Sequence, residues 1–133
     1  MKAKKAGLDT GFFVKLFRNN PLAEKIYEEI LGGELVGVVC VITLFELKKL
    51  ALKGVLDREA YELLERSWKI LFQVEPVTAE LALEAAALSH GTGLPAADAL
   101  IYTTCRRAGC TEFYTTDSDF EAVSDKRVRI IRL

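Results

Sequence analysis

Four acidic residues stand out because each one follows a stretch typical of a β-strand or opens a helix: Asp9, Glu46, Asp98 and Asp117. Carboxylate oxygens are the ligands that Mg²⁺ and Mn²⁺ prefer in proteins. An ion held by carboxylates can polarise a phosphodiester, lower the pKa of a bound water and stabilise the attacking and leaving oxygens. If the fold brings these side chains together, the chemistry that they suggest is metal-assisted hydrolysis of a phosphodiester bond.

Each acid also has a simpler structural explanation, because acids commonly lie at the beginnings of helices. Asp9 fits the N-cap of the helix that follows it, and Asp117 fits the cap of a short helical turn. Thr43 and Glu46 have the spacing of a capping box, in which Glu46 bonds back to the backbone N–H of Thr43. Asp98 lies in a first helical turn, where an acid complements the helix dipole. A functional interpretation therefore depends on all four acids converging in space.

The order of strand-like and helix-like segments predicts how these acids are positioned. Runs rich in β-branched and aromatic residues predict strands or extended segments at residues 5–9, 34–42, 71–77, 112–115 and 128–133. Helical periodicity and capping residues predict helices at 12–17, 22–31, 44–52, 58–70, 78–88 and 94–106, with a short helical turn at 116–120. Strands that alternate with helices predict one α/β domain, residues 1–133, with a mostly parallel sheet.

In a parallel sheet of this kind, ligands bind outside the carboxyl ends of the strands. Asp9 and Asp117 follow predicted strands. Glu46 lies in the first helical turn after another strand, and Asp98 begins a helix after a loop. Like charges at one edge repel unless something neutralises them, so a hard divalent cation, Mg²⁺ or Mn²⁺, is the expected cofactor. Hydroxyl residues beside these acids could orient ligands or water, namely Thr10, Thr115 and Thr116.

Four short motifs, in the same order along the chain, resemble those of the PIN domain family. They are Leu8-Asp9-Thr10, Thr43-Leu-Phe-Glu46-Leu47, Pro95-Ala-Ala-Asp98-Ala-Leu100 and Thr115-Thr-Asp117-Ser-Asp119-Phe120. The resemblance covers essentially the whole chain, and by size and motif it is greatest to the VapC-like toxins of toxin–antitoxin pairs. It implies a three-layer α/β/α sandwich with a mostly parallel central sheet. It also implies an endoribonuclease that depends on Mg²⁺ or Mn²⁺.

The resemblance further implies roles for particular residues. The metal-ligand positions, which carry catalysis in the family, are matched by Asp9, Glu46, Asp98 and Asp117. Asp119 matches a position that is acidic in many members and is a further candidate ligand. Thr10 matches the small hydroxyl residue that follows the first acid, whereas Gly11 departs from the family, because many members carry Ser or Asn there.

The partners that the resemblance implies are an RNA substrate, a VapB-like antitoxin that blocks the site, and a second copy of the chain in a homodimer. The candidates for RNA contact are basic residues on two predicted helices: Lys48, Lys49, Arg106 and Arg107. An ordinary solvated helix face is the alternative explanation for these residues. The apolar stripes at 22–31 and 44–52 could serve an interface, although core packing explains most of their residues.

Composition excludes several other classes of protein. The formal charge of −1 provides no overall basic field of the kind that indicates a nucleic-acid partner. No run reaches the ~18 apolar residues of a membrane span, so we expect a soluble, cytoplasmic protein. The three cysteines form no CxxC pair, which argues against a zinc site and a disulfide framework.

Two alternatives to a toxin nuclease stay open: a catalytically silent PIN-like module that binds RNA or protein, and a housekeeping RNA-processing PIN nuclease. The full set of acids argues against the silent module, because clustered negative charges do not by themselves help to bind phosphates.

Other classes of α/β protein with an acidic or phosphate-binding site fit this sequence less well. A haloacid-dehalogenase-like phosphatase needs an acid at the position of Gly11, a receiver-like domain needs an acid pair beside the first strand, and a P-loop is absent.

Overall fold

Five parallel strands form a single sheet in the computed structural model, which describes residues 3–133. They are β1 (Lys4–Leu8), β2 (Leu35–Cys40), β3 (Gln73–Glu75), β4 (Glu112–Thr115) and β5 (Arg129–Arg132). The strand order is β3-β2-β1-β4-β5, and every pairing is parallel. The α/β fold with a parallel sheet, predicted from the alternation of elements, is therefore confirmed.

Six α-helices and one short 3₁₀ helix connect the strands within the described residues. They are α1 (Thr10–Phe17), α2 (Pro21–Leu31), α3 (Val41–Leu52), α4 (Arg58–Leu71), α5 (Ala79–Thr92), α6 (Ala96–Arg107) and the 3₁₀ helix Ser118–Ala122. One hydrophobic core includes side chains of α1 to α4, and a second includes α5 and α6. The three-layer sandwich is thus also confirmed. Among the described helices, none combines the length and the apolar character that a bilayer crossing requires.

The second core positions two of the candidate acids through aromatic packing. The Phe113 ring of β4 lies 5.1 Å, centroid to centroid, from the Tyr102 ring of α6 and 5.1 Å from the Phe120 ring of the 3₁₀ helix. Aromatic contacts of this kind contribute about 0.5–1.5 kcal/mol each beyond the area that they bury. They tie α6, which carries Asp98, and the 3₁₀ helix, which follows Asp117, to the same strand.

Gly7 lets α6 approach the central strand closely. A Cβ added at Gly7 would lie 2.7 Å from the Cβ of Cys105 and 2.8 Å from Cδ1 of Phe113, both of which are fully buried. The Cys105 thiol meanwhile donates to the carbonyl oxygen of Val38 on the neighbouring strand, at 3.7 Å. The helix that bears Asp98 is therefore seated against the sheet by contacts that leave no space for a side chain at position 7.

The beginning of α3 differs from the prediction. β2 ends at Cys40, so Val41 and Ile42 are helical instead of extending the strand. β-Branched residues disfavour a helix only slightly, and tertiary packing overrides that preference here. Thr43 consequently lies inside the helix, is fully buried and makes no capping hydrogen bond. The capping-box explanation for Thr43 and Glu46 is wrong, and Glu46 lies in the second helical turn instead of the first.

Other boundaries also moved relative to the prediction. α5 continues to Thr92, several residues beyond its predicted end, and Gly93 ends it with a φ of +79°. α6 begins at Ala96 with Pro95 as its N-cap, two residues later than the predicted start at residue 94. Asp57 caps α4 and Thr78 caps α5, since their side chains accept backbone N–H groups at 3.0 and 3.2 Å.

We predict that Gly7→Ala lowers the free energy of unfolding by about 1–3 kcal/mol, because the added methyl group overpacks the contact between β1 and α6. Urea denaturation measures this change. Gly91→Ala is the matched control, since a Cβ at Gly91 meets nothing within 4 Å and Gly91 lies in α5. The control should raise stability, by up to about 1 kcal/mol. A Gly7→Ala variant as stable as the wild type would contradict the close approach.

Candidate metal centre

The candidate acids lie together at the carboxyl end of the sheet, in one open cleft of about 360 Å³. Asp9 directly follows β1, and Asp117 lies two residues after β4. Glu46 projects from α3 and Asp98 from the first turn of α6. The cleft is lined by all four acids together with two of the predicted hydroxyl residues: Asp9, Thr10, Glu46, Asp98, Thr116 and Asp117. Four chain segments therefore each bring a carboxylate to the same place.

Asp9 both caps α1 and lines the cleft. Its side chain is only 5% exposed, and Oδ1 accepts a 3.0 Å hydrogen bond from the backbone N–H of Phe12. The capping explanation for Asp9 is therefore correct, and it does not exclude a second role. Burial raises the pKa of Asp9 to about 6, although hydrogen bonds from Thr115 and from the backbone of Phe12 and Gly11 favour the charged form.

Thr115, the last residue of β4, connects two of the acids. Its hydroxyl group lowers the pKa of the Asp9 carboxyl group and accepts a 3.0 Å hydrogen bond from the backbone N–H of Asp117. The register of the sheet places Thr115 beside Asp9, because Leu8 is paired with Tyr114 and these two residues come next on their strands. Fully buried, Thr115 fixes the turn that presents Asp117 to the cleft.

Three aspartates form the most compact group of possible ligands. One carboxylate oxygen from each of Asp98, Asp117 and Asp119 lies within 4.8 Å of the other two. Burial raises the pKa of Asp98 to about 7, and a hydrogen bond to Asp117 and the charges of Asp117, Asp9 and Glu46 add to this effect. Because the ionised form of Asp98 is disfavoured by its surroundings, a cation at this point would stabilise it.

Glu46 is oriented by a hydrogen bond between α1 and α3. The Thr10 hydroxyl group donates a hydrogen bond to Oε1 of Glu46 at 2.5 Å. Thr10 is the first residue of α1 and directly follows Asp9, so one turn of the chain positions two carboxylates. Among the described residues, no hydrogen bond occupies Oε2 of Glu46.

Thr116 occupies the space beside Gly11, the position at which this chain departs from the family pattern. A Cβ added at Gly11 would clash with the Thr116 hydroxyl oxygen and lie 3.0 Å from the Thr116 Cβ. The Thr116 hydroxyl group therefore lies in the space that a Ser or Asn side chain at position 11 would enter. This part of the cleft thus still has a hydroxyl group, which a different segment of the chain supplies.

The basic residues of α3 divide between the cleft and the protein surface. Lys49 and Lys53 line the cleft, together with the ring of Phe45. Of these three, only Lys49 was among the residues predicted to contact RNA. The signal for the other two was present in the sequence, since positions 45, 49 and 53 share one face of a helix.

The remaining predicted RNA contacts lie elsewhere. Lys48 does not line the cleft and pairs with Glu65 of α4 at 3.0 Å. Arg106 and Arg107 lie in the last turn of α6, at the opposite end of that helix from the cleft, roughly 12 Å along its axis from the carboxylate in its first turn. Both pair with Glu84 of α5, at 2.7 and 3.8 Å. These three residues are engaged in ion pairs outside the acidic cleft.

A family model described as PIN domain matches residues 7–126, and the chain therefore belongs to the PIN domain family. This result confirms the family that the four motifs predicted. The match includes all four acids of the cleft and also Asp119. A comparison with curated protein sequences finds no match.

Solved structures of VapC and VapBC proteins share the fold. VapC20 from Mycobacterium tuberculosis, described as a toxin that cleaves the sarcin–ricin loop, is 22% identical with a TM-score of 0.72, over 93% of this chain and 98% of that one. VapBC2 from Rickettsia felis, bound to promoter DNA, is 15% identical with a TM-score of 0.72, over 96% and 98%. DNA-bound VapBC from Salmonella typhimurium is 20% identical with a TM-score of 0.70, over 97% and 98%.

We predict that Asp98→Asn stabilises the metal-free protein, increasingly so as the pH rises. The pKa of Asp98 is about 7 in the folded protein and 3.8 in the unfolded reference. Between these two pH values, Asp98 is therefore protonated in the folded protein and ionised in the unfolded chain. Ionisation of Asp98 thus removes stability from the wild type as the pH rises from about 4 to 7. The variant should equal the wild type near pH 4 and exceed it most above pH 7, by urea denaturation in EDTA.

Asp125→Asn provides a control of opposite sign. Although burial raises the pKa of Asp125, hydrogen bonds from the backbone N–H of Arg127 and the hydroxyl of Tyr102 outweigh it and hold that pKa below 3.8. Ionised Asp125 therefore stabilises the fold at neutral pH, and its removal should lower stability there. If both variants changed stability in the same direction at pH 8, the conclusion that ionised Asp98 destabilises the folded protein would be contradicted.

Proposed function

We propose that this PIN-domain protein is an endoribonuclease that depends on Mg²⁺ or Mn²⁺ and acts as the toxin of a toxin–antitoxin pair. The observation that carries the proposal is the acidic cleft, into which four chain segments each bring a carboxylate. Membership of the PIN domain family supports nuclease activity. The VapC and VapBC structures that share the fold support the role of toxin.

The donor set fits a hard divalent cation. Asp98, Asp117 and Asp119 are close enough to act as ligands of one ion, and Asp9 and Glu46 line the same cleft. A set of carboxylates without Cys or His favours Mg²⁺ or Mn²⁺ over zinc. When bound, such an ion polarises the phosphodiester and makes water a stronger nucleophile at neutral pH.

The chain's own residues supply no covalent nucleophile to the cleft. Among the described residues that line it there is no Ser, Cys or His; the Thr10 hydroxyl group donates to Glu46, and the Thr116 hydroxyl group has no His in the cleft to act as its base. We therefore propose that water attacks the phosphodiester directly. Glu46 lies outside the compact group of Asp98, Asp117 and Asp119 and is oriented by Thr10, so we propose that it orients that water. Asp98 must give up its proton when an ion binds, so ion binding should strengthen as the pH rises.

We also propose two protein partners, a VapB-like antitoxin and a second copy of this chain. Solved toxin–antitoxin complexes share the fold, which supports the first of these. Apolar side chains on α2 and α3 remain available for an interface, since Leu31 is 55% and Leu52 is 66% exposed. Ile26, Ile30 and Leu47 of the same helices are buried in the core instead. Light scattering of the purified chain distinguishes a monomer from a homodimer.

We predict that the wild type cuts a mixed RNA pool when Mg²⁺ or Mn²⁺ is present and that Asp98→Asn reduces cutting by about 100-fold or more. The reason is that Asn keeps the shape of Asp98 but removes the charge that an ion requires, and even indirect perturbation of metal ligands lowers activity 10- to 100-fold. Gel analysis of the products measures the rate, and EDTA should abolish cutting by the wild type.

Asp57→Asn is the matched control for this experiment. Asp57 caps α4 and does not line the cleft, and Asn caps equally well, so cutting should be unchanged. Cutting that persists in Asp98→Asn would indicate a contaminant or a misplaced site. If neither protein cuts, calorimetry with Mn²⁺ decides, because a wild type that binds no Mn²⁺ refutes the carboxylate site and leaves the silent binding module.

A further inference from the structure

We infer that Phe45, Lys49 and Lys53 form a nucleotide subsite beside the acidic cleft. In this subsite the Phe45 ring stacks on a base of single-stranded RNA, and the two lysines contact the phosphates next to it. The inference rests on the proposed nuclease function and deepens it, because it specifies the form of the RNA and the side chains that hold it. None of the three residues belongs to the carboxylate set.

Phe45 and Lys49 share one face of α3, the C-cap residue Lys53 continues that face, and all three side chains line the cleft. They are four residues apart, and residues at this spacing are neighbours on a helix surface. The Lys49 Nζ atom lies 5.6 Å from the centroid of the Phe45 ring, which brings a cation and an aromatic face together. Glu46, the carboxylate of the same helix, directly follows Phe45. A ligand on this face would therefore lie beside the proposed reaction centre.

The Phe45 ring contributes little to the core. It is 63% exposed, whereas Leu47 and Ala51 of the same helix are buried and hold α3 against the sheet. A single exposed aromatic ring is ordinary on a protein surface. An exposed ring inside an acidic cleft, with a lysine beside it, is a more specific arrangement. Aromatic rings at such positions stack on nucleic-acid bases with little dependence on sequence, because every base has a π face.

The two lysines are suited to phosphates. Among the described residues, no carboxylate lies within 4.0 Å of the amino group of Lys49 or Lys53, whereas Lys48 is paired with Glu65. The acids of the cleft repel a phosphate chain, and unpaired cations at its rim reduce that repulsion. Lys49 and Lys53 are one helical turn apart, about 6 Å along the axis, so they can contact successive parts of one backbone.

The geometry favours a single strand over a duplex. A base can stack on Phe45 only when it has left its neighbours, and unpaired bases in RNA are free to do so. The cleft, at about 360 Å³, is near the lower end of the usual range for ligand pockets. It can therefore take one nucleotide of a longer strand, while the rest of the strand remains outside.

We predict that Phe45→Ala weakens binding of a single-stranded oligoribonucleotide about 5- to 100-fold, because it removes one stacking platform. The probe carries phosphorothioate linkages, which resist hydrolysis, and binding is measured by fluorescence anisotropy with Mn²⁺. A second probe of the same length lacks its bases, and Phe45→Ala should not affect its binding. Phe45→Trp should retain binding of the first probe. Leu83→Ala is the matched control, an exposed apolar residue of α5 outside the cleft, and should change neither.

The lysines are tested by the salt dependence of binding to both probes. Lys49→Gln and Lys53→Gln should each lower the slope of log K against log salt concentration by about 0.7, the contribution of one phosphate contact to a single strand. Lys48→Gln is the control and should leave the slope unchanged. Its ion pair with Glu65 is exposed and contributes little to the stability of the fold.

The outcomes separate this subsite from the nuclease function. If Phe45→Ala binds the first probe as the wild type does, or loses affinity for both probes equally, the stacking subsite is wrong even if the wild type cuts RNA. A wild type that binds neither probe also overturns it. If the wild type binds through Phe45 but cuts no RNA and takes up no Mn²⁺, the subsite stands and the nuclease function fails.

Discussion

Burial of carboxyl groups close to one another at the carboxyl end of the sheet is the constraint on which the rest of this structure depends. Burial and neighbouring charge raise the pKa of Asp98 to about 7, and burial raises the pKa of Asp9 to about 6. Such an arrangement opposes folding at neutral pH, so other parts of the molecule must stabilise it. The two hydrophobic cores do this: the first packs against β1 and β4 on one face of the sheet, and the second packs α6 against β2 and β4 on the other.

The same side chains serve the local structure and the cleft. Asp9 uses Oδ1 to cap α1, and Asp117 uses Oδ1 to accept the backbone N–H of Asp119 at 2.8 Å. A carboxylate has two oxygens, so a capping bond to one leaves the other available to an ion. Capping and metal binding were therefore never competing explanations for these residues. The capping bond instead fixes the orientation of the carboxylate, so that its second oxygen points in one direction, as a metal ligand must.

Acidic and basic side chains of α3 and of its C-cap residue line the same cleft. Glu46 contributes to the cleft from the second turn of the helix, and Lys49 and Lys53 follow on the same face. The basic residues of α6 are instead committed to Glu84, where they link α5 to α6. An acidic cleft with a basic rim provides negative oxygens for an ion and positive groups for phosphates within one small region.

The sequence by itself determined the classes of element, the parallel sheet, the family and the acids that meet at its edge. Those features follow from local periodicity and from the rule that parallel strands end together. Tertiary structure alone decided that Val41 and Ile42 join a helix, because packing overrides a slight local preference. It also decided that Lys49 faces the cleft while Lys48 faces Glu65, since neighbouring positions on a helix point about 100° apart and only contacts with distant segments set its rotation.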